Sequence, residues 1–267
     1  MKVNENLTMA ERMKAAIVAK IVRAGLVAEG DASRIRLSDV PYFIGWATGF
    51  GGIWLVGETA AGEEFFYTPE QWNALDDATR GERLSRAVGM LFRAQRKEFV
   101  FALQDCPGTY AWCLTSEDGT TPQVEITPRG GSQGAVIDFN GQENTTTLLS
   151  VASPAAKAAV DYKATGIHGA AAADWYLPAF GHWALIFAYR NKVNAALKTF
   201  FGTNNYIAQA TYWSSTPSDS IRAWTLPNPG TASCITNPNN PLRTTSNKVR
   251  ACSQYKCTKR FMIYGKD

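Results

Sequence analysis

The stretch "YWSSTPSDSIRAW", residues 212–224, predicts the fold more directly than any other part of the sequence. Its two leading aromatic residues are typical of a core strand, and the three hydroxyl residues that follow can satisfy nearby backbone groups. Trp224 lies 11 residues after Trp213, a separation that suits facing strands of a hairpin. The pattern therefore predicts a hairpin that places both tryptophans in the core.

Three other motifs accompany this stretch in a fixed order. "DFNGQENT" (138–145) and "DWYLP" (174–178) precede it, and "KVRA" (248–251) follows it. The proline of "DWYLP" is expected to end a strand before a helix. In "KVRA", Val249 is expected to close the sheet and Arg250 to pair with a buried carboxylate. Taken singly, motifs of this kind serve packing far more often than they form a site.

Together the four motifs resemble the C-type-lectin-fold variable proteins of bacteriophage and bacterial diversity-generating retroelements, which overlap with a group related to the formylglycine-generating enzyme. The resemblance runs from about residue 135 to the end, about half the chain. It implies an α+β fold whose C-terminal domain, 126–267, is a C-type lectin fold with two helices on an irregular antiparallel sheet. The Ala-rich segment 154–165 and the residues between "DWYLP" and Gly202 are predicted to supply helices.

The N-terminal half is predicted to be a separate domain, 1–125, with a helix followed by a small β-rich assembly or attachment region. Thr8 and Glu11 can form a capping box for a helix over 8–26. Its apolar stripe packs either within its own domain or between subunits. The junction is placed near residue 125 because the surrounding segment is rich in Pro, Gly, Ser and Thr.

Short β-strands are predicted for the rest of this half. Glycines interrupt the aromatic and β-branched residues of 41–57, which predicts a hairpin. Two further strands are expected in 86–103, around the polar "AQRK", and "TPEQWNAL" (68–75) predicts a short helix or turn. The motif "PYFIGW" (41–46) is similar to the leader domain of gut-phage members of the family.

The segment 228–247, "NPGTASCITNPNNPLRTTSN", contains no Lys, Glu, Gln, Met or Trp. In the family that the motifs resemble, a reverse transcriptase misincorporates at adenines of AAY codons, and the resulting NNY codons exclude those five residue types. A Pro/Asn/Thr-rich loop is poor in them anyway, so both explanations remain open. Trp224 and Lys248 cannot arise from such codons, and the resemblance implies that they are invariant scaffold.

The resemblance also implies a variable recognition face at about 218–247. Ile221, Ile235 and Leu242 are its large aliphatic residues, and Arg222 and Arg243 are its candidates for polar hot spots. The full set of predicted ligand-binding residues is Ser218, Ser220, Ile221, Arg222, Thr225, Asn228, Thr231, Ser233, Ile235, Asn237, Asn239, Asn240, Leu242, Arg243, Thr245, Ser246 and Asn247.

Composition argues against several classes of function. The net charge is +4 without a block of Lys or Arg, which gives no support to nucleic-acid binding. No run approaches the roughly 18 apolar residues that a membrane span requires. The first residues lack the apolar core of a signal peptide. Neither membrane insertion nor export is therefore expected from the sequence.

Catalytic and metal-binding signatures are weak. The five cysteines have spacings that match no common zinc site, so we expect reduced, partly buried thiols, no metal and no other cofactor. His168 and His182 are the two histidines, and each is expected to be a satisfied, partly buried side chain. "NPNNP" has amides but no nearby acid, which disfavours a calcium-dependent sugar site.

The function expected from the resemblance is non-enzymatic receptor binding at a phage tail-fibre or baseplate tip. The protein would be made in the cytoplasm of the host bacterium, join other virion tail proteins as a homotrimer, and bind a protein or glycan on the bacterial surface. One alternative is a variable binding protein displayed on a bacterial surface. Another is a formylglycine-generating-like oxidase, for which Cys252 and Cys257 lie near the appropriate end of the chain.

Overall fold

The computed structural model describes residues 49–114, 124–128, 131–162, 174–202, 210–226 and 240–254, together with Ala19 and Ile207. The strands are β1 (Phe50–Glu58), β2 (Glu64–Tyr67), β3 (Ala87–Ala94), β4 (Lys97–Phe101), β5 (Tyr110–Ala111), β6 (Trp175–Tyr176), β7 (Tyr212–Pro217), β8 (Ala223–Leu226), β9 (Ser246–Asn247) and β10 (Cys252–Ser253). The helices are α1 (Pro69–Asn73), α2 (Asp77–Ser85), α3 (Ser132–Ala135), α4 (Gly141–Ser150), α5 (Pro154–Val160), α6 (Phe180–Ala188) and α7 (Arg190–Phe201). The helix predicted over 8–26 lies outside the described residues, apart from Ala19.

The architecture is mixed α and β, as predicted, with a mostly antiparallel sheet. Six strands form one sheet in the order β2-β1-β3-β4-β10-β6, and the pairs β5-β9 and β7-β8 form two separate two-stranded sheets. In the large sheet Cys252 of β10 lies opposite Phe101 of β4 on one side and Tyr176 of β6 on the other. Strands from both ends of the sequence therefore meet in one sheet.

This arrangement bears on the predicted junction near residue 125. Because β10 pairs with β4, the sheet runs across that junction instead of ending there. One compact unit contains Ile53–Phe92 together with Phe99–Lys256. The tip of the β3–β4 hairpin, Arg93–Glu98, belongs to a second unit, in which Arg93 and Glu98 form an ion pair. The large sheet thus contains strands from both predicted domains, and the junction near residue 125 stays a prediction.

Several local predictions in the N-terminal half are confirmed. Helix α1 begins with a capping box. The Thr68 hydroxyl accepts from the backbone N–H of Gln71, and the Gln71 side chain accepts from the backbone N–H of Thr68. Strands β3 and β4 flank the predicted polar turn, where Gln95 and Arg96 adopt positive φ values of 47° and 63°. Strand β4 and the residues after it are buried on both faces, from Phe99 to Leu103.

Of the hairpin predicted within 41–57, residues 41–48 lie outside the described residues, so the hairpin stays a prediction. Residues 50–58 form the single strand β1, whose interior is buried. Gly57 lies within this strand and serves close packing: a Cβ on Gly57 would lie 2.4 Å from the carbonyl oxygen of Arg86. Glycine in a strand therefore marks close approach of a neighbouring backbone at this position.

The C-terminal helices largely match the sequence pattern. Ser153 caps α5, and Pro154 occupies its first turn. The residues after "DWYLP" form two helices instead of the one predicted, since the chain leaves helical geometry at Tyr189 (φ −115°, ψ 19°). Helix α6 is buried over nearly its whole length, whereas α7 buries one face. Gly202 ends α7 with a φ of 75°, as predicted.

Candidate functional site

The predicted hairpin at 212–226 is present. Strands β7 and β8 pair antiparallel with Trp213 opposite Thr225, and the register shifts between Trp213 and Pro217. Trp213 and Trp224 are both buried. The Ser214 hydroxyl donates a 2.7 Å hydrogen bond to the carbonyl of Trp224. The prediction of a hairpin with both tryptophans in the core is confirmed.

A buried polar cluster ties this hairpin to the "DFNGQENT" motif. The Asp138 carboxylate accepts from Thr216 Oγ1 at 2.7 Å and from Asn144 Nδ2 at 3.2 Å. Asn144 Nδ2 also lies 3.3 Å from the Ser215 hydroxyl oxygen. Thr216 Oγ1 in turn accepts from the backbone N–H of Phe180. Two of the three hydroxyls thus reach distant parts of the chain, where the sequence predicted only local partners.

The "KVRA" motif anchors the other side of the hairpin. Arg250 Nε donates to Asp105 Oδ1 at 2.6 Å, and both side chains are largely buried. Tyr212 donates its hydroxyl to the same carboxylate at 3.0 Å. The backbone of Lys248 accepts from Trp213 N and donates to Thr211 O. The predicted pairing of Arg250 with a buried carboxylate is confirmed, and Asp105 is the partner.

His182 belongs to the core. Its ring is buried and packs against Phe99 and Phe139. The ring nitrogen Nε2 lies 3.2 Å from the Tyr176 hydroxyl oxygen. His182 is therefore a core side chain with a hydrogen-bond partner at Nε2, and it is fully rather than partly buried. His168 lies outside the described residues.

The described cysteines are buried and not paired with one another. Cys106, Cys113 and Cys252 are free thiols. Burial, followed by the Asp105 carboxylate, raises the pKa of Cys106 to about 12, and burial also raises the pKa values of Cys113 and Cys252. Within the described ranges no group of three His, Cys, Asp or Glu side chains is placed to hold a metal ion. Cys234 and Cys257 lie outside them.

None of the helices in the described part of the chain has the length and apolar character needed to cross a membrane.

The turn between β7 and β8 carries the first part of the predicted recognition face. Asp219 Oδ1 accepts from the backbone N–H groups of Ile221 and Arg222 at 2.9 and 2.7 Å, and Ser218 N donates to Arg222 O at 3.0 Å. Ser220, Ile221 and Arg222 are exposed on this turn, Ile221 by 44%. The sequence prediction omitted Asp219, although Asp before a turn is a known signal for this geometry.

The second part of the face, residues 240–247, lies beside this turn. Arg222 and Leu242 form an antiparallel bridge, and the backbone N–H of Arg243 donates to Ile221 O at 3.0 Å. Asn240 Nδ2 donates to Ser218 Oγ at 3.1 Å. Leu242 is 49% exposed. Thr245 and Ser246 are exposed and Asn247 is half-buried. The structure therefore brings Ile221, Arg222 and Leu242 together on one surface.

Three predicted contact residues are instead buried. Ser218 and Thr225 are enclosed at the end of the hairpin and in β8, and Arg243 is only 2% exposed. The Arg243 guanidinium lies 4.5 Å from the centre of the Trp112 ring and donates to the carbonyl of Asp219 at 2.6 Å. The expectation that Thr225 and Arg243 are exposed is wrong, because strand pairing and an aromatic face from a distant segment enclose them.

Six predicted contact residues lie outside the described residues. They are Asn228, Thr231, Ser233, Ile235, Asn237 and Asn239. Trp112, which covers Arg243, was not singled out from the sequence, and nothing in its local pattern indicates that role.

No family model matches the sequence, and no curated protein matches it. Among solved structures, a fimbrial protein from Bacteroides ovatus ATCC 8483 is similar at a TM-score of 0.40 and 14% sequence identity. The match covers 58% of this chain and 35% of the fimbrial chain.

Proposed function

We propose that this chain is a non-enzymatic receptor-binding protein of a phage tail fibre or baseplate tip. It binds a molecule on the bacterial surface through the face formed by 218–222 and 240–247. In this proposal residues 126–267 have the C-type lectin fold of retroelement-diversified proteins. One observation carries it: the exposed side chains of Ile221, Arg222 and Leu242 stand on a backbone whose supporting residues are buried.

The backbone hydrogen bonds explain how such a face can vary without loss of the fold. The turn is held by the Asp219 carboxylate and by main-chain contacts to 241–243, none of which uses the side chain of Ile221 or Leu242. Replacing those side chains changes the surface chemistry and leaves the main chain in place. A preorganised surface loses little conformational entropy on binding.

The chemistry of this face suits modest affinity for each copy. Two partly exposed aliphatic side chains flank Arg222, whose guanidinium lies 3.7 Å from Asp219 and keeps 49% of its side chain exposed. Arginine beside apolar contacts is a frequent source of binding energy in protein interfaces. A homotrimer on a particle would multiply this affinity, since linked sites bind with a high effective concentration.

The packing of the hairpin supports the lectin-fold part of the proposal. Strand β7 contacts α4, and β8 contacts α6, so a two-stranded element lies against two helices. Of the two cysteines named for the oxidase alternative, Cys252 is buried, and burial raises its pKa, which disfavours the thiolate that a reactive cysteine needs. A bacterial surface-displayed binding protein would use the same face, and gene context separates the two.

The proposal is tested by measuring binding of the fluorescently labelled protein to a panel of bacterial strains by flow cytometry. We expect saturable binding to at least one strain, competed by unlabelled protein and lost in the triple variant Ile221→Ala, Arg222→Ala, Leu242→Ala. Triple substitution of exposed residues elsewhere, Glu70→Ala, Gln142→Ala and Lys157→Ala, is the matched control and should bind normally. Equal binding by both triple variants would contradict the proposed face.

A further inference from the structure

The Arg243 side chain connects the Trp112 ring with the two ends of the β7–β8 turn. Its Cζ atom lies 4.5 Å from the Trp112 ring centre. Nη2 donates to Asp219 O at 2.6 Å, and Nε lies 3.5 Å from Arg222 O. One planar guanidinium therefore contacts the first and last residues of the segment Asp219 to Arg222, from the buried side.

The main chain of Arg243 joins the same two parts of the molecule. Its N–H donates to Ile221 O at 3.0 Å, and its carbonyl accepts from Trp112 N at 2.8 Å. Trp112 is in turn bound to β7, because its Nε1 donates to Ser214 O at 2.7 Å. Arg243 thus links the turn to Trp112, a fully buried tryptophan.

The Arg243 guanidinium is a buried cation. Burial lowers the pKa of the Arg243 guanidinium, while Cys113 and Asp219 act in the opposite direction. The buried cation is stabilised by the carbonyl oxygens and the aromatic ring. Loss of the guanidinium would leave the Asp219 carbonyl without its charged donor and remove a part-buried, charge-assisted hydrogen bond from the turn.

We infer that Arg243 is a positioning residue: it holds the turn 219–222 in place from the buried side and sets where Ile221 and Arg222 are presented, without itself contacting the target. The link to target binding rests on the proposed function, but the link to the turn does not. One consequence concerns diversity. Position 243 lies inside the predicted variable segment, so chains that differ there would present the same exposed side chains on a displaced turn.

The test is hydrogen–deuterium exchange of the folded protein, read by mass spectrometry for wild type and Arg243→Met. We expect exchange of the 218–222 amides to become roughly tenfold faster or more in the variant, because a charge-assisted hydrogen bond is lost. Amides of β4 and of 212–216 should keep their wild-type rates. Unchanged exchange at 218–222, or an equal acceleration throughout, would overturn the inference.

The matched control is Arg250→Met, which removes an arginine that is equally buried and whose partner, Asp105, is far from the turn in sequence. In this control variant, any acceleration of exchange should be no greater at residues 218–222 than in the rest of the protein. If Arg243→Met does not fold, Arg243→Lys replaces it, since one ammonium cannot reproduce the planar contact to both carbonyls. The lysine variant should show the same local acceleration to a smaller degree, and wild-type protection in it would equally overturn the inference.

Binding to the bacterial panel separates this inference from the proposed function. Arg243→Met should weaken binding at least about tenfold, as a shift in an interface residue's placement does, although the residue is buried. Local acceleration of exchange without any bacterial binding by wild type would support the positioning role and contradict the proposed function. Normal binding by a variant with a loosened turn would overturn the role in recognition.

Discussion

Thr216 Oγ1 donates a 2.7 Å hydrogen bond to Asp138 Oδ2, and the two residues are 78 positions apart in the sequence. Both side chains are buried. Because Asp138 also accepts from the backbone N–H of Asn140 and from the Asn144 side chain, one carboxylate joins the loop before α4 to strand β7. The scaffold under the proposed recognition face depends on this polar contact as well as on apolar packing.

Replacing Asp138 by Ala should strongly destabilise the protein. The change removes the carboxylate that two buried donors, Thr216 Oγ1 and Asn144 Nδ2, bind, so we expect a loss of roughly 3 kcal/mol in the free energy of unfolding. Urea denaturation followed by tryptophan fluorescence measures it. Glu143→Ala, which removes an exposed carboxylate from the same motif, should change stability by no more than about 0.5 kcal/mol. Equal midpoints for the two variants would count against the role of Asp138.

Truncation of either hairpin tryptophan should cost more. Trp213→Ala and Trp224→Ala each remove a buried indole, and such core truncations typically cost about 3–5 kcal/mol. Trp213 also loses a hydrogen bond from Nε1 to Tyr110 O at 2.7 Å. Differential scanning calorimetry should show a clear drop in Tm for both. A Tm close to that of wild type would mean that the indoles are not in the core.

Truncation of side chains on the exposed face should have little effect on stability. The triple variant Ile221→Ala, Arg222→Ala, Leu242→Ala alters partly exposed side chains and spares the backbone contacts of the turn, so its free energy of unfolding should change by about 1 kcal/mol or less in total. Arg243→Ala alone should cost more than all three together, because Arg243 is buried and hydrogen bonded. The reverse order of stabilities in urea would refute this division into face and scaffold.

The thiol of Cys106 should be unreactive in the folded protein at mildly alkaline pH. Its pKa is raised from 9.0 to about 12, so the folded state holds the proton more tightly than the unfolded chain does. Alkylation should therefore be slow when folded and fast in denaturant. The protonated thiol therefore contributes fully to the free energy of unfolding below pH 9.0, and this contribution is lost as the pH rises toward about 12. Residue-resolved mass spectrometry that finds Cys106 labelled at equal rates in both states would contradict this.

Part of this arrangement could be predicted from local sequence. The hairpin was predictable because aromatic spacing and hydroxyl residues encode both burial and pairing within 212–226. The helix start at Thr68 and the helix end at Gly202 follow from capping chemistry. The need of Arg250 for a carboxylate was also predictable, whereas its identity, Asp105, depends on contacts across 145 residues.

The remaining features depend on distant neighbours. Arginine usually lies on the surface. Arg243 is buried only because the Trp112 ring and the Asp219 carbonyl lie against its side chain. Similarly, the local sequence does not show why residue 57 is a glycine, whereas the close approach of the Arg86 backbone explains it. A composition shift near residue 125 also cannot reveal that β10 returns to pair with β4.

The most direct test of the central claim, a buried scaffold that carries a hypermutable recognition face, is deep amplicon sequencing of this locus across a natural bacterial or phage population. We expect adenine-linked substitutions clustered in the codons for 218–247, with Trp213, Trp224 and Lys248 unchanged. Substitutions spread evenly along the gene, or as frequent at Trp213 and Trp224 as at Ile221 and Leu242, would contradict the claim.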